Sequence, residues 1–448
     1  MKKAFALAAL IIATVLILSI ITLAMPPGIL AGEEAYYHVM AANPGGQGSF
    51  VLSQYDYFLK IAFLFFEPIL FMKIFPIVLG ALCVLLFYLA AEKFLKEKSA
   101  LYASIIFILS PCFLYIFSAN SAEIISLFLL LLGIFLLVQK DKYLSYSSIV
   151  PFVFSAISSM FVAVLVFIIY ITYFLAKREK RYDFIAGTAL IILAVLFLNP
   201  AFMIDYSLSN LPVLSNLFSD FGGLAGISIF AAIFFIAGLI AMKKREYSYP
   251  IIIYLVVSFL MDHRTIIYSN ILVSCFAGLG LRIIIEKKWE LNNLKQILNF
   301  LLIGGLLFSA VSHINVIKNI GPSQELMGAA QWISKNSEKN SVVLSSPSNS
   351  ILVEYSGRNA MISALPSEMP KFNFLMNDAN EIYYSRNLEK TEKLLNKYNV
   401  NYILIDGKML EGGIWKKSGE GLLFLLTNQE KFPIVYNQGG VKIAYYSK

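Results

Sequence analysis

From residue 4 to about residue 313 the chain is built from apolar runs, most of them roughly 18–25 residues long, parted by short polar breaks. A helix of that length crosses about 30 Å of hydrocarbon, so a succession of such runs constrains the fold more than any other feature of the sequence. Composition agrees: 58% of the 448 residues are hydrophobic, where soluble domains carry about 45–50%. Mean hydropathy is +0.72. The expected fold class is an α-helical polytopic membrane protein. The apolar character stops near residue 318, and residues 318–448 read as an extracytoplasmic soluble α/β domain. The expected domains are therefore 1–317, transmembrane, and 318–448, soluble.

The runs predict about eleven transmembrane helices. They lie near 4–24, 69–91, 100–117 and 123–138, then twice within 143–176, broken at Ser155–Ser159. Five more lie near 183–201, 223–242, 248–261, 266–285 and 297–313. Alternating the sides places roughly seventeen lysines and arginines in one set of loops and about three, Lys60, Lys73 and Arg264, in the other. Cationic loops stay in the cytoplasm, so the N-terminus is expected inside and the C-terminal domain outside. The net charge of +8 follows from those inner loops and is no argument for nucleic acid. The segment 4–24 follows Lys2-Lys3 and is longer than a usual signal-peptide core, so an uncleaved anchor is favoured. Residues 57–67 suggest a helix lying in the interface. Cys83, Cys112 and Cys275 all fall in apolar segments and read as packing residues.

Within 318–448, Ser323 reads as the N-cap of a helix to Lys335, and 388–398 has helical spacing. Val342–Leu344 and Tyr402–Ile405 read as strands. Residues 434–436 and 441–445, joined through Gln438-Gly439-Gly440, read as a hairpin.

The ionisable residues of the membrane region gather on the expected outer side: Glu33, Glu34, His38, Asp56, Glu123, Asp205, Asp220, Asp262, His263 and Arg264. Glu34 and His38 are four apart and share a face on a helix. A carboxylate there can serve as a general base or bind a hard cation; equally, both can be solvated loop residues. Glu123 opens a helix at its N-terminus, where the macrodipole alone favours an acid. Arg264 suits bidentate contact with a phosphate, or a pairing with Asp262 or a lipid headgroup. The sequence holds no Walker loop, no dinucleotide glycine fingerprint and no Cys/His set with zinc spacing.

Taken together these residues resemble a family, the GT-C-type integral-membrane glycosyltransferases. Glu34-Ala35-Tyr36-Tyr37-His38 is similar to the Asp-x-Tyr-Tyr-His form of oligosaccharyltransferase-like members, with Glu in place of Asp. Ser121-Ala122-Glu123 resembles the second acidic site, and His263-Arg264 the late-loop arginine that meets the donor's phosphate. Ala329–Ile333, Ser356-Gly357-Arg358 and Lys397–Asp406 resemble the cap domain of such proteins. One departure stands out. Oligosaccharyltransferases carry a Trp-Trp-Asp-Tyr-Gly motif that reads the acceptor sequon, and the corresponding stretch, about 343–358, lacks it.

The resemblance implies a glycosyltransferase that takes its sugar from a polyprenyl-phosphate-linked donor. Glu34 and Glu123 would be catalytic and would hold a divalent cation (Mg or Mn), if one is used. Arg264 and His263 would meet the donor phosphate, and Tyr36, Tyr37, His38 and Asp56 would line the substrate pocket. The implied partners are the donor, the lipid bilayer and an extracytoplasmic acceptor. Two other readings remain open on sequence: a transporter or flippase of lipid-linked glycans, and an inactive paralogue acting as an assembly partner.

Overall fold

A computed structural model describes residues 2–26, 28–43, 53–158, 160–177, 217–242, 251–256, 263–288, 290, 292–363, 369–417 and 419–447. Ten helices open the chain: α1 Lys2–Leu23, α2 Glu33–Ala42, α3 Gln54–Ala62, α4 Pro68–Phe94, α5 Glu97–Leu109, α6 Pro111–Ala119, α7 Glu123–Leu137, α8 Lys142–Ser147, α9 Ile149–Ser158 and α10 Met160–Lys177. Next come α11 Ile229–Met242, α12 His263–Glu286, α13 Asn292–Lys318 and α14 Gln324–Asn336. Strand β1, Val342–Leu344, is followed by α15 Ser350–Tyr355, β2 Asn359–Ala360, α16 Met369–Tyr384, α17 Leu388–Lys397 and β3 Val400–Ile405. The chain closes with α18 Leu422–Leu425, β4 Ile434–Gln438 and β5 Val441–Tyr445. Two compact units result: residues 1–24 with 72–318, and residues 25–71 with 319–448.

The first unit is helical. Among the described residues, four helices are long and apolar enough to cross a membrane: Lys3–Leu23, Pro68–Phe94, Thr265–Glu286 and Asn293–Lys318. A fifth candidate is the pair α5 and α6, bent by 51°. The bend follows from Ser110-Pro111. Proline has no N–H to continue the ladder, and Ser110 restarts the helix by accepting a hydrogen bond from the Phe113 N–H at 3.2 Å. The Asn270 side chain donates to the same Ser110 oxygen at 2.8 Å, tying the bend to α12. Glu123–Leu137, Val162–Tyr173 and Ile229–Met242 are shorter apolar helices. A helix ends at Ser158 and another starts at Met160, at the edge of the break read from Ser155–Ser159. The expected span 183–201 lies outside the described residues, as do Asp205 and Asp262; 248–261 is described only at 251–256.

Helices α11 and α12 pack backbone against backbone. A Cβ on Gly238 would lie 1.9 Å from the Phe276 carbonyl oxygen, and one on Gly280 1.9 Å from that of Phe234. Small residues give membrane helices this close approach, which maximises dispersion contact where no hydrophobic driving force operates.

The second unit joins α2 and α3 to the C-terminal segment. Its sheet has the order β2-β1-β3-β5-β4. Strand β1 runs parallel to β2 and β3, and β3–β5 and β5–β4 are antiparallel. Ile403, Ile405, Phe432, Tyr383 and Trp415 meet in its core. The aromatic polar tips are satisfied there: the Trp415 indole donates to the Tyr383 carbonyl at 2.8 Å, and the Tyr383 hydroxyl to the Ser345 carbonyl at 2.7 Å. The expected helix after Ser323 begins at Gln324, with the Ser323 hydroxyl accepting from the Leu326 N–H. The expected strands and closing hairpin are present, with β3 starting two residues earlier, at Val400, and β2 added at Asn359–Ala360. The interface helix expected at 57–67 starts earlier, at Gln54, and stops at Ala62. Beyond it Leu64, Phe65 and Phe66 are exposed, while Phe66 stacks on Phe71.

Candidate active site

Helix α2 starts because Gly32 can hold a positive φ, 79°, which turns the chain out of its extended approach. Glu33 and Glu34 then fill the first turn, where the helix dipole favours acids. Helix α3 starts on a capping box. The Ser53 hydroxyl accepts from the Asp56 N–H at 3.2 Å, and the Asp56 carboxylate accepts from the Ser53 N–H at 2.7 Å.

These two helix starts bring three site residues together. Asp56, with 0% of its surface exposed, faces His38 Nδ1 at 2.7 Å from its Oδ1. The other edge of the imidazole, Nε2, lies 3.7 Å from Glu34 Oε1, an ion-pair distance longer than a hydrogen bond. Burial opposes the imidazolium, but the hydrogen bond to Asp56 and the charges of Asp56 and Glu34 outweigh it and push His38 up to about 9. Burial likewise opposes the Asp56 carboxylate, yet His38 and Ser53 hold it below the usual range. At neutral pH His38 is thus an imidazolium held against the Asp56 carboxylate. Tyr37 and Tyr55 meet the His38 ring edge-on, at centroid distances of 5.4 and 5.0 Å. Tyr36 turns the other way. It is buried, accepts from the Leu30 N–H at 3.0 Å and meets Tyr355 edge-on at 5.0 Å.

Glu33 lines a cavity of about 260 Å³ within the second unit, together with Tyr36, Ser348, Asn349, Asp406 and Lys408. Burial pushes the Glu33 carboxyl up to about 7, partly countered by the charge of Lys408. Asp406 is fixed at the cavity by accepting from the Met409 N–H at 2.8 Å and from the Asn349 amide at 3.1 Å. Asp406, Lys408 and Asn349 are not among the site residues expected from the sequence. Ser348 and Asn349 belong to the stretch 343–358 already noted for its missing motif, and that was the available signal.

In the first unit, Glu123 stands in the first turn of α7 and accepts a hydrogen bond from the Ser121 hydroxyl. Asp220 is engaged structurally: it accepts from the Ile229 N–H at 2.7 Å, capping α11, and from the Ser309 hydroxyl at 2.6 Å. His263 and Arg264 open α12, and their side chains lie outside the described residues. Among the described residues no three His, Cys, Asp or Glu side chains cluster to hold a metal ion.

No protein-family model and no curated protein matches the sequence. Solved structures do match the fold. The oligosaccharyltransferase of Archaeoglobus fulgidus, tethered with an acceptor peptide containing the NVT sequon, superposes with a TM-score of 0.61 at 12% identity, over 99% of this chain and 74% of that one. The same archaeal enzyme has been solved with an inhibitory peptide and a dolichol-phosphate, and with Zn and sulfate. ArnT from Cupriavidus metallidurans bound to undecaprenyl phosphate matches with a TM-score of 0.54 at 12% identity, over 98% and 97% of the two chains. The arabinofuranosyltransferase AftD from Mycobacteria matches at 0.60 and 14% identity, over 99% of this chain and 40% of that one. The chain thus shares the GT-C glycosyltransferase fold, as its motifs led us to expect.

Proposed function

We propose that this chain is a membrane glycosyltransferase that moves a sugar from a polyprenyl-phosphate-linked donor to a protein, lipid or glycan acceptor on the outer face of the membrane. The observation that carries the reading is the Glu34 carboxylate, set at the head of α2 beside the buried His38–Asp56 pair. The fold supports it, because proteins that share it were solved with undecaprenyl phosphate, dolichol-phosphate and an acceptor peptide.

In this reading Glu34 takes the proton of the acceptor's hydroxyl or amide as that group bonds to the anomeric carbon. The bond from the anomeric carbon to the donor phosphate oxygen breaks, and polyprenyl phosphate leaves with the electron pair. The neighbouring imidazolium, 3.7 Å away, attracts the Glu34 carboxylate and holds it where it acts as the base. His38 and Asp56 position Glu34, and Tyr37 completes the wall. Tyr36 lines the acidic cavity, where the acceptor docks. Arg264, with His263, meets the donor phosphate, since a guanidinium matches two phosphate oxygens at once. Glu123 completes the polar pocket.

The same reading keeps eleven spans, domains 1–317 and 318–448, an inner N-terminus and an outer C-terminal domain. A divalent cation, Mg or Mn, on Glu34 and Glu123 is a separate proposal. Next to Glu34 the chain fits a cation poorly, because His38 is itself cationic at neutral pH. Chelation that abolishes transfer, with recovery on adding Mg or Mn, would support the cation; unaltered transfer after chelation would remove it. The function as a whole is tested by Glu34→Gln in a reconstituted assay that follows release of polyprenyl phosphate from a lipid-linked sugar. Loss of release in a folded variant is expected, and wild-type release would refute the role.

A further inference from the structure

The first unit holds a second cavity, of about 570 Å³, between α4, α7, α10, α11 and α12. Its walls are almost wholly apolar, with Leu131, Ile134, Leu165, Ile169, Phe276 and Leu279 among them. Two lysines line it as well: Lys93, in the last turn of α4, and Lys140, just past the end of α7. Both mark the helix ends opposite Glu123, which opens α7 about 22 Å away by helical rise.

Several other charges at that end are paired among themselves. Lys3 pairs with Glu92 at 2.6 Å, and Glu286 pairs with Arg282 at 2.9 Å and with Lys98 at 3.6 Å. Among the described residues, neither Lys93 nor Lys140 has an ion-pair partner. The Thr172 hydroxyl also lines the cavity, buried and with no hydrogen-bond partner among the described residues. A void of this size in a membrane domain, apolar along its walls with two exposed lysines and a spare hydroxyl on its lining, fits an occupant that is apolar along its length and anionic at one end. From Leu131 to Val138 of α7 the wall runs about 11 Å, most of one leaflet's hydrocarbon depth of roughly 15 Å. That depth suits a single hydrocarbon chain.

We propose that this cavity binds an anionic phospholipid: one hydrocarbon chain fills the space, the phosphate meets Lys93 and Lys140, and Thr172 donates to a polar linkage oxygen. Basic pockets between membrane helices on the lysine-rich side recognise anionic headgroups by the same physics. The lysines stand at the end of the first unit's helices opposite Glu123, and the lipid is a bound component, not a reactant.

The test is native mass spectrometry of the purified full chain, titrated with phosphatidylglycerol and, separately, with phosphatidylcholine. Phosphatidylglycerol is expected to be retained over phosphatidylcholine by about tenfold or more, given two lysines near one phosphate. The Lys93→Glu/Lys140→Glu variant is expected to lose the preference, and Lys93→Arg/Lys140→Arg to keep it. Ile134→Trp, which fills the cavity, is expected to cut retention of both lipids while α7 keeps its helix. Equal retention of the two lipids by the wild type would overturn the proposal. So would an unchanged preference in the folded glutamate variant, or a lipid-linked sugar as the co-purified occupant of the cavity.

Discussion

At the scale of single residues the site is governed by protonation. His38 has its folded value raised to about 9 from an ordinary 6.5, so its pairing with Asp56 is fully present below pH 6.5 and fades as pH rises through about 9. Asp56 has its value lowered, so its contribution fades as pH falls through the acid range. The pair therefore stabilises the second unit between those limits. Asp56→Asn leaves a buried imidazole without its countercharge, and breaking a buried pair costs about 3–5 kcal/mol. A lowered midpoint in thermal unfolding is expected, together with a shift of the alkaline limb of the transfer pH profile from near 9 toward the ordinary histidine value. An unmoved limb would show that His38 does not govern Glu34. Glu33 costs stability where the pair supplies it. Its folded value is raised to about 7, so it binds its proton more tightly when folded and costs stability as pH rises from 4.5 through 7. Glu33→Gln is expected to raise the unfolding temperature at pH 8 and to leave it nearly unchanged at pH 4.

At the scale of elements, helix starts and helix crossings carry the structure. Ser53 caps α3 and also donates its hydroxyl to the Asp56 carboxylate at 2.7 Å. Ser53→Ala is expected to cost about 1 kcal/mol in chemical unfolding, the usual loss for an N-cap, and to loosen Asp56. Gly280→Val would drive a side chain into the Phe234 backbone, so α11 and α12 must separate. A loss of about 1–3 kcal/mol, read as a lower unfolding midpoint in detergent, is expected from such overpacking. What the sequence could convey about these elements depended on range. Hydropathy, the Ser323 cap and the strand-turn-strand pattern at 434–445 are local, and each was legible. Helix α16 was not. Pro370 stands near its start, and Asn373, Asn377, Asp378 and Asn380 break its apolar spacing. The α5–α6 bend was also missed, since its proline sits inside an uninterrupted apolar run.

At the scale of the whole chain, residues far apart in sequence make the second unit, and this was the least legible part. Nothing local in Glu33 announces that Asn349, Asp406 and Lys408 will share its cavity. The His38–Asp56 pair spans 18 positions, so the spacing of Glu34 and His38 revealed only two of the trio's three members. Nor does hydropathy tell that residues 25–71 fold with 319–448 and not with the helices on either side of them. The proposed sidedness, with the lysine-rich loops inside and the C-terminal domain outside, has its own test. A membrane-impermeant thiol reagent applied to intact cells is expected to label Lys339→Cys and to spare Lys288→Cys, and the reverse pattern would invert the topology. The central claim is that Glu34 performs the chemistry. Its most direct test compares wild type and Glu34→Gln, purified and reconstituted with a polyprenyl-phosphate-linked sugar, for release of polyprenyl phosphate. The expected result is a fall of about 10²–10⁴-fold in a variant that still folds, and release at the wild-type rate would contradict it.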